Sequence, residues 1–253
     1  MRAAAGRRHA GEVEIVIPAY NEQRRITGTI RAFVDYFVGS GVDASICVVD
    51  NGSIDRTADT VDAAVDGRIP VTLMGCSQQG KGAAVRRGVL TSQARYVGYC
   101  DSDTATPAET LNQILPLLRG GHPVVIGSRR CSGARYVEHP PLVRRFGGWV
   151  FRTGAAIAVP GVADTQCGFK FFDAVAARRL FSAVQLDGFA FDVEVLRVAQ
   201  LCGFPIVEVP VHWTPVRGST LRLTDGIRAV SDLRRVIRIA TPAIAAAGFA
   251  SDG

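Results

Sequence analysis

The sequence has no run of about 20 apolar residues, the length that a membrane-crossing helix needs. Its best candidates, residues 155–162 and 239–250, are interrupted by Pro160-Gly161 and Pro242. Each is long enough to lie against a bilayer and too short to span one. Paired Cys-x-x-Cys spacing is also missing. The six cysteines (Cys47, Cys76, Cys100, Cys131, Cys167, Cys202) and the four histidines are scattered, which removes zinc-ligand spacing. Neither the P-loop pattern nor G-x-G-x-x-G occurs, which disfavours a kinase or a dinucleotide dehydrogenase. There is no internal repeat and no low-complexity linker. Residues 1–11 contain Arg2, Arg7, Arg8 and His9 among small residues but no apolar core, so they read as a disordered basic tail and not as a secretory signal.

What is present is the composition of a globular domain, 47% hydrophobic and 21% charged over 253 residues. One continuous domain is expected over residues 12–223, followed by a C-terminal amphipathic helix within 224–253. The net charge of +6 implies anionic partners. Much of the excess falls late, at Arg217, Arg222, Arg228, Arg234, Arg235 and Arg238, which favours a local anionic surface. No base-stacking motif or recognition helix supports nucleic acid as that partner. Cys47 and Cys100 sit in apolar runs, where a thiol packs as a small hydrophobe. All six cysteines read as reduced, which points to the cytosol.

Short β-branched runs at 13–17, 46–49, 71–73, 96–99 and 124–126 alternate with helical patterns at 22–38, 55–65, 83–90 and 108–118. Such alternation predicts right-handed crossovers and a mostly parallel sheet flanked by helices. Ligands of these sheets bind beyond the carboxyl ends of the strands. Polar clusters follow four of the five runs: Pro18-Ala19-Tyr20-Asn21-Glu22, Asp50-Asn51-Gly52-Ser53, Asp101-Ser102-Asp103 and Gly127-Ser128-Arg129. Further helices are expected at 140–159, 174–181, 191–201 and 224–240, with a strand at 206–211. The first and last of these helices are amphipathic and arginine-rich.

Two carboxylates one residue apart, on a chain leaving a strand, can approach a single hard cation. Mg²⁺ favours this arrangement, completing its shell with water and substrate phosphates. Asp101 and Asp103 fit that pattern; the competing reading is a solvated turn before Pro107. Asp50 can accept hydrogen bonds from a base or ribose, whereas Asp55 reads as a helix-cap residue. Gly80-Lys81-Gly82 opens a helix whose N-terminus favours anions, although Lys81 also fits a solvated turn. Arg129 can fork onto phosphate. Asp164, Gln166 and Lys170, interleaved with Cys167, Phe169, Phe171 and Phe172, read as a pocket wall.

The segments VEIVIPAYNE, VVDNGSIDRT, GKGAAVRRG, YCDSDTATP, VIGSRR, DTQCGFKFF, FAFDVEVLRVAQ and VHWTPVRGS, in this order from Val13 to about Ser219, resemble the family-two inverting glycosyltransferases of GT-A fold. The likeness is to the dolichyl-phosphate glucose and mannose synthase group, with DTQCGFK and FAFDVEVL nearer the glucosyl branch. The resemblance implies transfer of a hexose, glucose from UDP-glucose, onto a polyprenyl or dolichyl phosphate with Mg²⁺ or Mn²⁺. It further implies that Pro18, Tyr20, Glu22, Asp50, Lys81 and Asp101 hold the nucleotide-sugar. Asp103 becomes the main metal ligand with Asp101 beside it, and Asp103, Arg129 and Asp164 the catalytic set. Gln166 and Lys170 line the sugar and acceptor pocket.

Two positions depart from the pattern. Ala105 stands where the mannosyl branch has Gln, and Asn51 where many relatives carry a second Asp. The absence of a spanning segment predicts peripheral attachment to the cytoplasmic face of a membrane through the helices at 140–159 and 224–240. Two alternatives remain at this level: a transferase using another nucleotide-sugar or a soluble acceptor, which would need a general base, and a non-catalytic nucleotide-sugar-binding protein.

Overall fold

The computed structural model describes residues 9–136, 151–214 and 231–239, with Arg135 and Tyr136 described by their backbone. In chain order the elements are β1 (Val13–Ala19), α1 (Ile26–Ser40), β2 (Ala44–Asp50), α2 (Thr57–Ala64), β3 (Val71–Gly75), α3 (Lys81–Leu90) and β4 (Tyr96–Cys100). A 3-10 turn at Ala108–Thr110 leads into α4 (Leu111–Arg119), β5 (Val124–Ser128) and β6 (Arg135–Tyr136). Helical residues 151–158 form α5. The remainder is β7 (Phe169–Asp173), α6 (Ala174–Ala183), α7 (Phe191–Leu201), β8 (Ile206–Pro210) and β9 (His212–Trp213), closed by α8 at 231–237.

Seven strands make one sheet in the order β3-β2-β1-β4-β7-β5-β8. All neighbouring pairs are parallel except those of β7, which runs antiparallel to both β4 and β5. The mixed, mostly parallel sheet carries helices on both faces, the GT-A architecture. A strand packed on both faces needs apolar residues at every position, and β1, β2, β4 and β5 supply them. Alternation then divides the core in two. One face of the sheet packs against α1, α2 and α4, the other against α3, α5, α6, α7 and α8.

β7 is the element that the sequence reading did not anticipate. Cys100 pairs with Phe169 and Tyr96 with Asp173, so β7 enters the sheet at the carboxyl end of β4. The segment just before it, residues 164–168, is thereby delivered to the same edge as the ends of β1, β2, β4 and β5. Phe169 and Phe171 join one core and Phe172 the other. Period-two alternation sends Lys170 to the same side as Phe172.

Several expected boundaries shift for local reasons. The first helix begins at Ile26 and not at residue 22, because the Glu22 carbonyl closes a turn by accepting from the N–H groups of Arg25 (2.9 Å) and Ile26 (3.0 Å). Part of the expected tail is held against the domain: His9 meets Asp43 at 2.6 Å, and the Gly11 carbonyl accepts from Arg95 N–H at 3.1 Å. Residues 140–150 of the first arginine-rich helix and 224–230 of the second lie outside the described residues, as does the chain beyond 239. Among the described residues no helix is long and apolar enough to cross a membrane.

Gly98 lies in β4 opposite Phe171, and an added Cβ would sit 2.2 Å from the ring. Gly98→Ala is expected to cost about 1–3 kcal/mol through overpacking. In urea unfolding it should lower the midpoint with the slope unchanged.

Candidate active site

The loops after β1 and β2 clasp each other. Asn21 N–H donates to Ser53 Oγ and Ile54 N–H to Asn21 Oδ1, both at 2.9 Å. Asn21 adopts φ 57°, a left-handed conformation that asparagine tolerates better than most residues. Glu22 is buried and forks onto Arg25 through two 2.7 Å bonds. Burial pushes its pKa up, and Arg25 opposes the shift. Glu22 therefore holds the loop from behind and offers little to a ligand. Pro18 is half-buried at the end of β1, and the Tyr20 ring is 47% exposed. Asp50 lines an open cleft with Gly52, Gly75, Cys76, Ser77 and Arg87.

Asn51 explains its own departure from the family pattern. Its amide donates to the Gln78 carbonyl at 2.6 Å, and its Oδ1 accepts from Gly80 N–H at 2.7 Å. A carboxylate could make only the second bond.

A second, tighter pocket lies at the tip of β4, lined by Asp101, Asp103, Thr106, Arg129, Phe169 and Trp213 among others. Asp103 Oδ1 accepts from Ala105 N–H at 3.1 Å across Thr104, which has φ 57°. Ala105 is buried, and its carbonyl accepts from Thr214 N–H at 3.1 Å. Burial, and then the charge of Asp101, push the Asp103 pKa up. Two carboxylates repelling each other in one pocket suit a hard cation. Among the described residues no group of three or more His, Cys, Asp or Glu is placed to hold a metal. Asp101 and Asp103 could supply at most two of the oxygen donors that a hard cation takes. Gly168 makes the approach possible, because a Cβ there would lie 2.1 Å from Asp101 Oδ2.

Lys81 does not stand in a phosphate cradle. The Asp187 carbonyl accepts from Gly82 N–H at 2.7 Å and from Ala83 N–H at 3.4 Å, which occupies the helix N-terminus. Gly80 permits this plug: its φ is 124°, and a Cβ would meet the Asp187 carbonyl oxygen at 2.1 Å. The ammonium instead reaches Asp101 Oδ1 at 2.7 Å and Asp192 Oδ2 at 3.4 Å. Burial opposes its charge, yet the two carboxylates raise its pKa above the ordinary lysine range.

Lys170 also lies elsewhere than expected. Its side chain is wholly buried, with Nζ 2.5 Å from Asp192 Oδ1 and 2.6 Å from the Cys167 carbonyl. A strand position facing α7 takes it behind the pocket and out of reach of an acceptor. Arg129 forks onto Asp164 at 2.6 and 2.9 Å, and its backbone N–H donates to the same carboxylate at 3.0 Å. Burial disfavours the Asp164 carboxylate, but Arg129 overcomes this and holds its pKa down to about 2. Asp164 is only 3% exposed. It anchors Arg129 and leaves no free oxygen to orient a sugar. Glu208 anchors Asp164 in turn, accepting from the N–H groups of Ala163 (2.8 Å) and Asp164 (3.0 Å). Gln166 is half-exposed and is not among the residues lining either pocket.

Sequence reasoning missed Asp192, Tyr99 and Trp213. The Tyr99 hydroxyl donates to Asp192 Oδ1 at 2.6 Å, and Trp213 faces the Arg129 guanidinium with 5.7 Å between guanidinium and ring centre. A signal for Asp192 was available. It stands second in the otherwise apolar run Phe-Asp-Val-Glu-Val-Leu, where a carboxylate needs a partner; the helix buries all six, Asp192 against Lys170 and Glu194 against the N–H groups of Gln185 and Leu186.

Comparison with known proteins gives the family and the fold. The profile of glycosyl transferase family 2 matches residues 14–180. The chain is 31% identical over 245 residues to a dolichyl-phosphate beta-glucosyltransferase of Dictyostelium discoideum, covering 88% of this chain and 73% of the relative. It is 30% identical over 230 residues to the human protein of that name, covering 83% and 69%. Among solved structures, glucosyl-3-phosphoglycerate synthase of Mycobacterium tuberculosis, crystallised with Mn²⁺, UDP-glucose and phosphoglyceric acid, superposes with a TM-score of 0.68 at 20% identity. That match covers 91% of this chain and 81% of the synthase and shows the shared fold. The chain belongs to glycosyl transferase family 2.

Proposed function

We propose that this protein transfers glucose from UDP-glucose to the phosphate of a dolichyl or other polyprenyl phosphate, inverting the anomeric centre with the help of a divalent cation. The observation that carries the acceptor assignment is that two buried aspartates are closed in ion pairs, Asp164 with Arg129 at 2.6 Å and Asp192 with Lys170 at 2.5 Å, while Asp103 is taken by the cation in this reading. An alcohol acceptor needs a general base with a pKa near the working pH. Asp164 and Asp192 are instead buried against cations, and both have lowered pKa values: burial works against them, and Arg129 for the first and Lys170 for the second prevail. A phosphate acceptor arrives with its second ionisation near pH 6 already largely complete. It needs no proton removed.

Asp101 and Asp103 would hold Mg²⁺ or Mn²⁺, and the cation would supply charge neutralisation at the departing diphosphate. Arg129, fixed by Asp164, presents its guanidinium to the same pocket as a preorganised positive charge for phosphate. Asp50 and the exposed Tyr20 ring, at the ends of β2 and β1, would receive the nucleoside. The names of the relatives support glucose and dolichyl phosphate as the substrates.

The membrane-facing side is assigned to α5 and α8. Leu233 and Val236 bury α8 in the core, while Arg234, Arg235, Ile237 and Arg238 stay exposed. Each arginine near an anionic leaflet contributes about 1 kcal/mol of attraction. The six free cysteines, four of them buried, support the cytoplasmic face.

Asp103→Asn is expected to abolish Mn²⁺-dependent glucosyl transfer from UDP-glucose to a short polyprenyl phosphate while keeping the circular dichroism of the wild type. Near-normal turnover by the folded variant would overturn the assignment. The Arg129–Asp164 fork generates an acid prediction. Because the folded pKa is depressed, its stabilisation is complete above the ordinary carboxylate value near 4 and is lost as pH falls through about 2. The loss is on the order of 2 kcal/mol. Urea midpoints measured from pH 5 to pH 2 should fall more steeply for the wild type than for Asp164→Asn.

A further inference from the structure

Any cation that binds Asp101 must compete with an ammonium already there. Lys81 lies between two carboxylates, at 2.7 Å from Asp101 and 3.4 Å from Asp192. Its other carboxylate neighbour, Asp192, is itself divided: Oδ1 takes Lys170 Nζ at 2.5 Å and the Tyr99 hydroxyl at 2.6 Å, leaving Oδ2 for Lys81. Side-chain exposure is graded outward, from none at Lys170 and 4% at Asp192 to 16% at Lys81 and 44% at Asp101. The four charges cancel. They form a line from the core to the mouth of the pocket, held by β7, α7, α3 and the end of β4.

We propose that Asp192, held by Lys170 and Tyr99, is a positioning residue that sets how tightly Lys81 holds Asp101, and thereby sets the affinity of the donor site for its divalent cation. The proposal rests on reading Asp101 and Asp103 as the cation's ligands. A lysine ammonium is a compact charge on a flexible stem, and a movement of under an ångström carries it from one carboxylate to the other. Whatever Lys170 and Tyr99 satisfy of Asp192 weakens its pull on Lys81. With Lys170 neutralised, Asp192 keeps one cation, Lys81, which is drawn towards it and holds Asp101 less tightly. With Asp192 neutralised, two ammonium groups face one carboxylate, and Lys81 stays on Asp101 under a surplus of positive charge.

The two changes therefore act in opposite directions, which a loss of structural integrity would not produce. The readout is Mn²⁺ binding to the full chain with saturating UDP, followed by the electron paramagnetic resonance signal of free Mn²⁺, without turnover. Asp192→Asn is expected to weaken binding by about tenfold, Lys170→Met to tighten it about fivefold, and Tyr99→Phe to tighten it about twofold by deleting one hydrogen bond. Circular dichroism and thermal melting establish folding. Shifts of one sign in all three variants, or no shift, overturn the proposal. If either charge variant fails to fold, Tyr99→Phe decides alone: tighter binding supports the proposal, and equal or weaker binding overturns it. A wild-type UDP complex that takes up no Mn²⁺ overturns the cation-site reading and this proposal with it, an outcome distinct from bound Mn²⁺ with unshifted variants.

Discussion

A buried charge must be neutralised where it stands, because the interior offers no water to do so. That constraint organises this molecule around Asp192. Lys170 on β7, Tyr99 on β4 and Lys81 on α3 all direct polar atoms at one carboxylate of α7. Four elements from distant parts of the chain are tied at this point, and the tie lies directly behind the tip of β4. Asp101 is its outermost member. The site is therefore not a set of residues placed on a finished scaffold. Its inner wall is the electrostatic closure of the scaffold itself.

The other wall follows the same logic with different parts. Glu208 of β8 holds the backbone at Ala163 and Asp164, Asp164 holds Arg129, and Arg129 faces Trp213. The antiparallel insertion of β7 allows the two walls to meet. Its N-terminal end lies beside Cys100, so the segment carrying Asp164 and Gly168 arrives opposite Asp101. A parallel strand in that position would deliver the segment to the far edge of the sheet.

Much of this was legible in the sequence, and the rest was hidden for identifiable reasons. The parallel strands and the polar clusters at their ends could be read because β-branched runs and turn residues are local signals. Asp101, Asp103 and Arg129 were found in that way and do share one pocket. β7 was not legible as a strand: Phe-Lys-Phe-Phe has no clean alternation, and the lysine read as part of a pocket wall. Its partner lies 22 residues later, and pairing of that kind is set by tertiary packing. Gly80-Lys81-Gly82 misled for a related reason. The free helix N-terminus expected there is filled by the Asp187 carbonyl, a backbone contact about a hundred residues away that no side-chain pattern reports.

The ion pairs that close the fold also bear on the chemistry. A carboxylate can serve as a base only if its proton affinity approaches that of the medium. Pairing Asp164 with Arg129, and Asp192 with two lysines, lowers that affinity and consumes the lone pairs a substrate hydroxyl would need. Relaxing either pair to make a base would leave an uncompensated cation inside the protein, at a cost of about 3–5 kcal/mol. The scaffold thus stabilises itself with Asp164 and Asp192 and leaves neither free to take a proton from a hydroxyl. An acceptor that brings its own negative charge removes the conflict, because no proton has to be taken from it.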